Sequence, residues 1–235
     1  MKTLLLAISL ILTSVSLKAQ QDSVYFKQGE DYYSKRDFNQ ALDYYTKAVN
    51  ENQKYSLAYR NRARAYLKLQ KYEDALNDLN VALTLNTKDP IAYNGRGMIY
   101  MRFKRYDEAI SDFKLANQLD SLYSDAYNNI GAYYYEVKGD VKQALTYLLT
   151  AIRIGEKDNT VKDYFYSSLA VAYYDLAEYS KAIDAAGLAI KLNNKNKTAY
   201  EFRAKSYDKL GRYSEAQKDK EISKDLEKSQ RYRTK

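Results

Sequence analysis

The chain has 235 residues, a formal net charge of +8, 27 tyrosines, and neither histidine nor cysteine. Without those two residue types it lacks the commonest metal ligands, the usual proton shuttle, a thiol nucleophile and any disulfide, so Ser/His/Asp catalysis within the chain alone is excluded. The eight glycines form no phosphate-cradling loop, and a charge this mild among 29% charged residues is weak ground for nucleic-acid binding.

Residues 1–19 read as a secretory signal peptide. Lys2 supplies the positive start, Leu4 to Leu12 an apolar run, and Ala19 a small residue before Gln20. Even extended to Leu17, the apolar stretch falls short of the ~20 residues a spanning helix needs. Cleavage after Ala19 removes Lys2 and Lys18, and the mature chain, with no transmembrane segment, is expected outside the cytoplasm, periplasmic or secreted. Export makes nucleic acid an unexpected partner.

From residue 22 the chain repeats. A first helix is predicted in each copy from a large, small, large triad at spacings of four and three: Tyr25/Gly29/Tyr32, Tyr59/Ala63/Tyr66, Tyr93/Gly97/Tyr100, Tyr127/Gly131/Tyr134, Tyr166/Ala170/Tyr173 and Tyr200/Ala204/Tyr207. After a short break, Phe38, Tyr72, Tyr106, Tyr179 or Tyr213 opens a second helix in five copies. The second helices carry small residues seven apart: Ala41/Ala48, Ala75/Ala82, Ala109/Ala116, Ala144/Ala151, Ala182/Ala189 and Ala216/Ser223. The first three pairs start 34 residues apart, the next intervals are 35 and 38, and the last is 34, which marks a repeat array. A lone helical hairpin cannot bury its apolar face, so the copies must stack, with the small residues where backbones come close and the tyrosines filling the space beside them.

The irregularities fall in two places. One extra residue enters the turn at Lys138 to Val141, and four enter the joint near Asp158 to Lys162, where a hinge or change of pitch is one reading and a longer loop the other. Lys218 to Lys235, charged nearly throughout, reads as a capping helix and tail that gives the last copy a polar outer face. The first copy has no such cap, so Tyr25, Phe26 and Tyr33 are expected to leave an apolar patch.

These offsets resemble the tetratricopeptide pattern, aromatic-x2-Leu-Gly-x2-Tyr followed by Ala-x3-aromatic and Ala. The best copies are Tyr93-Asn94-Gly95-Arg96-Gly97-Met98-Ile99-Tyr100 with Ala109-x3-Phe113, and Tyr127-Asn128-Asn129-Ile130-Gly131-x2-Tyr134. The resemblance runs from residue 22 to about 230, as repeats near 22–55, 56–89, 90–123, 124–158, 163–196 and 197–230. It implies an all-α, right-handed superhelical solenoid of stacked antiparallel helix pairs. Tyrosine replaces the usual tryptophan, and Arg62, Arg96 and Arg203 replace leucine. The usual late proline is missing, so helix ends must rely on joints such as Asn50-Glu51-Asn52, Asn86-Thr87-Lys88-Asp89 and Asn193-Asn194-Lys195-Asn196. Pro90 falls at a first-turn position, where its missing N–H does no harm.

Such arrays bind partners and rarely perform chemistry, so no enzyme activity, cofactor or metal is expected. In the family resembled, first helices line a concave groove. Transferred copy by copy, its positions give a partner-binding set of Tyr33, Arg60, Arg64, Asn94, Met98, Arg102, Asn128, Tyr135 and Tyr174. The groove should be basic early, through Arg60, Arg64, Lys68 and Arg102, and acidic later, through Asp125, Glu136 and Asp175 among tyrosines. Arg60 and Arg64 lie one turn apart, which costs about a few tenths of a kcal/mol without an anion and so points to an anionic ligand group. Asp74, Asp107, Glu108 and Glu215 suit the dipole at second-helix starts. Some family members grip a terminal carboxylate with lysines, asparagines and an arginine; Phe26, Glu30 and Gly95 break that set here. The expected function is an exported, non-catalytic scaffold that binds a peptide segment or partner protein. The alternatives are homo-oligomeric self-assembly through the first repeat, as part of a cell-envelope complex, and binding of an anionic polymer or surface.

Overall fold

A computed structural model describes residues 21–233; the expected leader at 1–19 lies outside the described residues. Among these, the regular structure is entirely helical. The helices are α1 (21–34), α2 (Phe38–Glu51), α3 (Ser56–Lys68), α4 (Tyr72–Leu85), α5 (Pro90–Arg102), α6 (Tyr106–Leu119), α7 (Ser124–Glu136), α8 (Val141–Lys157), α9 (Asp163–Asp175), α10 (Tyr179–Leu192), α11 (Lys197–Lys209) and α12 (Tyr213–Arg233). The expected all-α class of stacked helix pairs is what forms. Two compact units divide the chain, one ending at Arg105 and the other starting at Tyr106. Within each unit neighbouring helices pack in chain order, and in the second α9 also touches α7 and α11.

The small residues make this stacking close. Every alanine of the six pairs is at most 1% exposed, and Ser223 is 8% exposed. At Gly29 the approach excludes even a methyl group: an added Cβ would lie 2.6 Å from the Tyr45 ring. Phe26, expected in an exposed patch, is instead buried, its ring 5.8 Å from Tyr45 and 5.0 Å from Tyr55. Side chains from α2 and from the joint before α3 close over it.

Each hairpin turns through one left-handed residue, Arg36, Gln70, Lys104, Gly139, Ala177 or Gly211. The next residue's N–H then donates to the carbonyl of the motif tyrosine, as from Asp37 to Tyr32 at 3.0 Å and from Glu178 to Tyr173 at 2.9 Å. This closure satisfies orphan carbonyls at the helix end. In the fourth copy Asp140 makes the same bond to Tyr134 across the one inserted residue.

Asparagine does the work of the missing prolines. Asn52, Asn86 and Asn193 end their helices in extended conformation, and each side-chain oxygen accepts the N–H two residues on at 3.0 Å. Asp89 caps Pro90 and the start of α5. The four-residue insertion is held against α8, whose Gly155 carbonyl accepts from Thr160 and Val161 at 2.8 and 3.1 Å.

Candidate partner-binding site

In the first unit the face of α3 carries Arg60 and Arg64, with different fates. Arg60 Nη1 donates to Asp89 Oδ2 at 2.9 Å, and that carboxylate is almost fully buried. Arg60 therefore has its counter-ion within the fold, so its spacing from Arg64 requires no outside anion. Arg64 stays exposed, its guanidinium 4.8 Å over the Tyr33 ring, and Lys68 is exposed one turn further on. Tyr33 also packs edge-on against Phe38, at 5.3 Å. On α5, Asn94 is buried with its amide 3.9 Å from the sulfur of Met98, while Met98 itself is 48% exposed. Arg102 lies 4.1 Å over Tyr72 of α4. The structure thus brings Tyr33 and Arg64 into contact, joins Asn94 to Met98, and turns Arg102 toward a second helix.

In the second unit, tyrosine hydroxyls meet carboxylates. Tyr135 of α7 donates to Asp175 Oδ2 of α9 at 2.6 Å; burial, then Asp175, then Glu136 push this phenol up to about 12. Tyr164 donates to Asp125 Oδ1, while Lys162 pairs with Asp125 Oδ2. Burial, then Asp125, raise the Tyr164 phenol well above its ordinary value. Tyr174 packs edge-on against Phe202 of α11 at 5.5 Å, and Lys205 sits 4.2 Å over that ring while pairing with Glu201 at 2.9 Å. Of the acids expected on this face, Asp125 is thus neutralised, whereas Glu136 and Asp175 remain exposed. Asn128, on the same stripe of α7, is buried, and its Oδ1 accepts no hydrogen bond.

Sequence reasoning missed a second class of charged residue. Arg62 grips Asp78 through two bonds of 2.7 Å, and Arg203 grips Asp219 at 2.7 and 2.8 Å. These arginines occupy the position where the family pattern has leucine, and copies four and five fill it with buried Ile130 and Leu169. The signal available was an aspartate 16 residues after the arginine, a spacing that Arg96 and Asp112 repeat. Burial raises Asp78 more than Arg62 lowers it. No helix of the described residues is long and apolar enough to cross a membrane.

The family model for the tetratricopeptide repeat matches residues 26–90 and again 60–124. Human DnaJ homolog subfamily C member 7 is 42% identical over 53 residues, 22% of this chain but only 11% of that protein's length. Among solved structures, a chain of the APC/C hetero-tetramer Cut9-Hcn1 is similar with a TM-score of 0.82 at 18% identity, over 93% of this chain and 43% of that one. Pseudomonas aeruginosa pilF gives 0.72 at 20% identity, over 86% and 90%. A tetratricopeptide repeat protein from Parabacteroides merdae gives 0.67 at 20%, over 87% and 78%. At these identities the likeness to the solved structures is one of fold.

Proposed function

This chain is a tetratricopeptide-repeat protein, and from that premise we propose that it is an exported, non-catalytic scaffold that binds a peptide segment of a partner on its first-helix faces. The coarse role that the fold suggests is protein–protein interaction. What supports the finer reading is the condition of the face residues. Arg64 is stacked on Tyr33, and Tyr135 and Tyr174 are fixed by Asp175 and Phe202, so these long or aromatic side chains lose little freedom when a partner docks. Nucleic acid is not the partner in this reading. Phe26 is buried and adds nothing to a first-repeat patch, while Tyr25 and Tyr33 are half-buried; self-assembly through that repeat is the alternative reading.

The test is a peptide library screened against the protein and its Arg64→Glu/Lys68→Glu variant. Peptides captured by the wild type should weaken about tenfold or more on the variant with helicity unchanged; peptides held equally by both would remove the first unit's face from the reading. Export is tested by sequencing the N-terminus of protein recovered from cell fractions. A start at Gln20 outside the cytoplasm is expected, and an intact leader on cytoplasmic protein would overturn export.

A further inference from the structure

We propose that the first-helix face of the second unit seats a basic side chain of the bound peptide, arginine foremost, between Tyr135, Glu136, Tyr174 and Asp175. The proposal rests on the peptide-binding reading above and names the chemistry of one of its sites.

Tyr135 and Glu136 end α7, and Tyr174 and Asp175 end α9. The 2.6 Å bond from Tyr135 holds the Asp175 carboxylate across the two helices. Both Glu136 and Asp175 are exposed, and neither has a basic group at ion-pair distance among the described residues. Some other acids of this unit do, as Asp125 with Lys162, Glu178 with Lys181, Asp208 with Lys220 and Glu215 with Arg212, while Asp163 is held by the amides of Asn193 and Asn196. In a chain of net charge +8, two uncompensated carboxylates beside one phenol leave a local negative potential that a cation relieves.

A second observation points the same way. Asn128 lies seven residues before Tyr135 on one stripe of α7. It is 5% exposed, and its Oδ1 accepts no hydrogen bond, although buried acceptors are ordinarily satisfied. Two helical turns, about 10 Å, from Tyr135, it can accept an N–H from the backbone of the peptide whose arginine occupies the seat. Tyr174, braced by Phe202 at 5.5 Å, offers a ring for the planar group to stack on. A guanidinium can stack there and still bond carboxylates two at a time, which an ammonium cannot.

The experiment titrates Ac-Ala-Arg-Ala-NH2, and the same tripeptide with neutral citrulline for arginine, against the protein, with tyrosine ring resonances followed by NMR. The arginine peptide should bind at least about fivefold tighter than citrulline, shifting Tyr135 and Tyr174. That preference should vanish in Glu136→Gln/Asp175→Asn. Asn128→Leu should weaken the arginine peptide while leaving the melting temperature equal or higher, because it removes an unpaired buried acceptor. Equal shifts by the two peptides, or none, would overturn the seat and leave the scaffold reading standing. A clear fall in melting temperature for Asn128→Leu would overturn the role given to that amide. If, in addition, the peptide library yields no binder, the scaffold reading fails as well.

Discussion

The α3–α4 hairpin of the first unit and the α9–α10 hairpin of the second fill the same space with opposite chemistry. In the first, Arg62 reaches across to Asp78 in a two-bond ion pair; in the second, Leu169 lies in one buried cluster with Ala185 and Ala186. The repeat therefore prescribes a volume between its helices and leaves polarity open, provided that a charge brings its own partner. The outward faces divide similarly. Arg64 and Arg102 of the first unit sit over tyrosine rings, whereas Tyr135 and Tyr164 of the second donate to carboxylates.

The largest effect should come from breaking the ionic version one-sidedly. Asp78→Ala strands Arg62 and should cost ~3–5 kcal/mol in urea unfolding. Restoring neutrality in Arg62→Leu/Asp78→Ala should recover most of the loss, because it removes the stranded charge and leaves an apolar side chain in its place. A double variant as unstable as the single one would show that the ion pair itself, not the filled volume, holds the hairpin. Next in size is Gly29→Ala, whose methyl meets the buried Tyr45 ring at 2.6 Å and should cost ~1–3 kcal/mol. Gly131→Ala, which meets Leu148 at 3.0 Å, should cost less in the same assay.

Both units carry tyrosines that make the fold sensitive to alkali. Burial pushes Tyr45 from 10.0 up to about 12, and burial with Glu156 does the same to Tyr166. A raised phenol favours the folded state fully below the ordinary value, and that contribution is lost as pH climbs from 10.0 to about 12. Stability should therefore fall across that window, and Tyr45→Phe or Tyr166→Phe should each flatten the fall. The smallest effect is a gain. Ala177 holds φ +58° where the sixth copy uses Gly211, so Ala177→Gly should stabilise by about 0.5–1 kcal/mol, read as a higher melting temperature.

The fold was legible because its determinants recur: the paired alanines and the tyrosine triads state helix, turn and helix in every copy. The site was only partly legible, because its key contacts join residues far apart along the chain, within one copy or between two. Asp89 neutralises Arg60 from a joint 29 residues later, and Tyr135 meets Asp175 40 residues on. That second spacing departs from the 34-residue period because of the inserted residues, so reading copy by copy could not pair them. Phe26 misled because its cover comes from α2 and from Tyr55, outside its own helix. The Arg62–Asp78 pair was within reach, since the same offset recurs with Arg203 and Asp219.

The most direct test of the central claim, that partners dock on first-helix faces, places a photoreactive residue at Lys68, at Tyr174 or at Leu188 of α10, which is 45% exposed on a second helix. Each protein is irradiated with a library-selected peptide. Crosslinks from position 68 or 174 and none from 188 are the predicted result; crosslinks from 188 alone would place the partner on the second helices and contradict the claim.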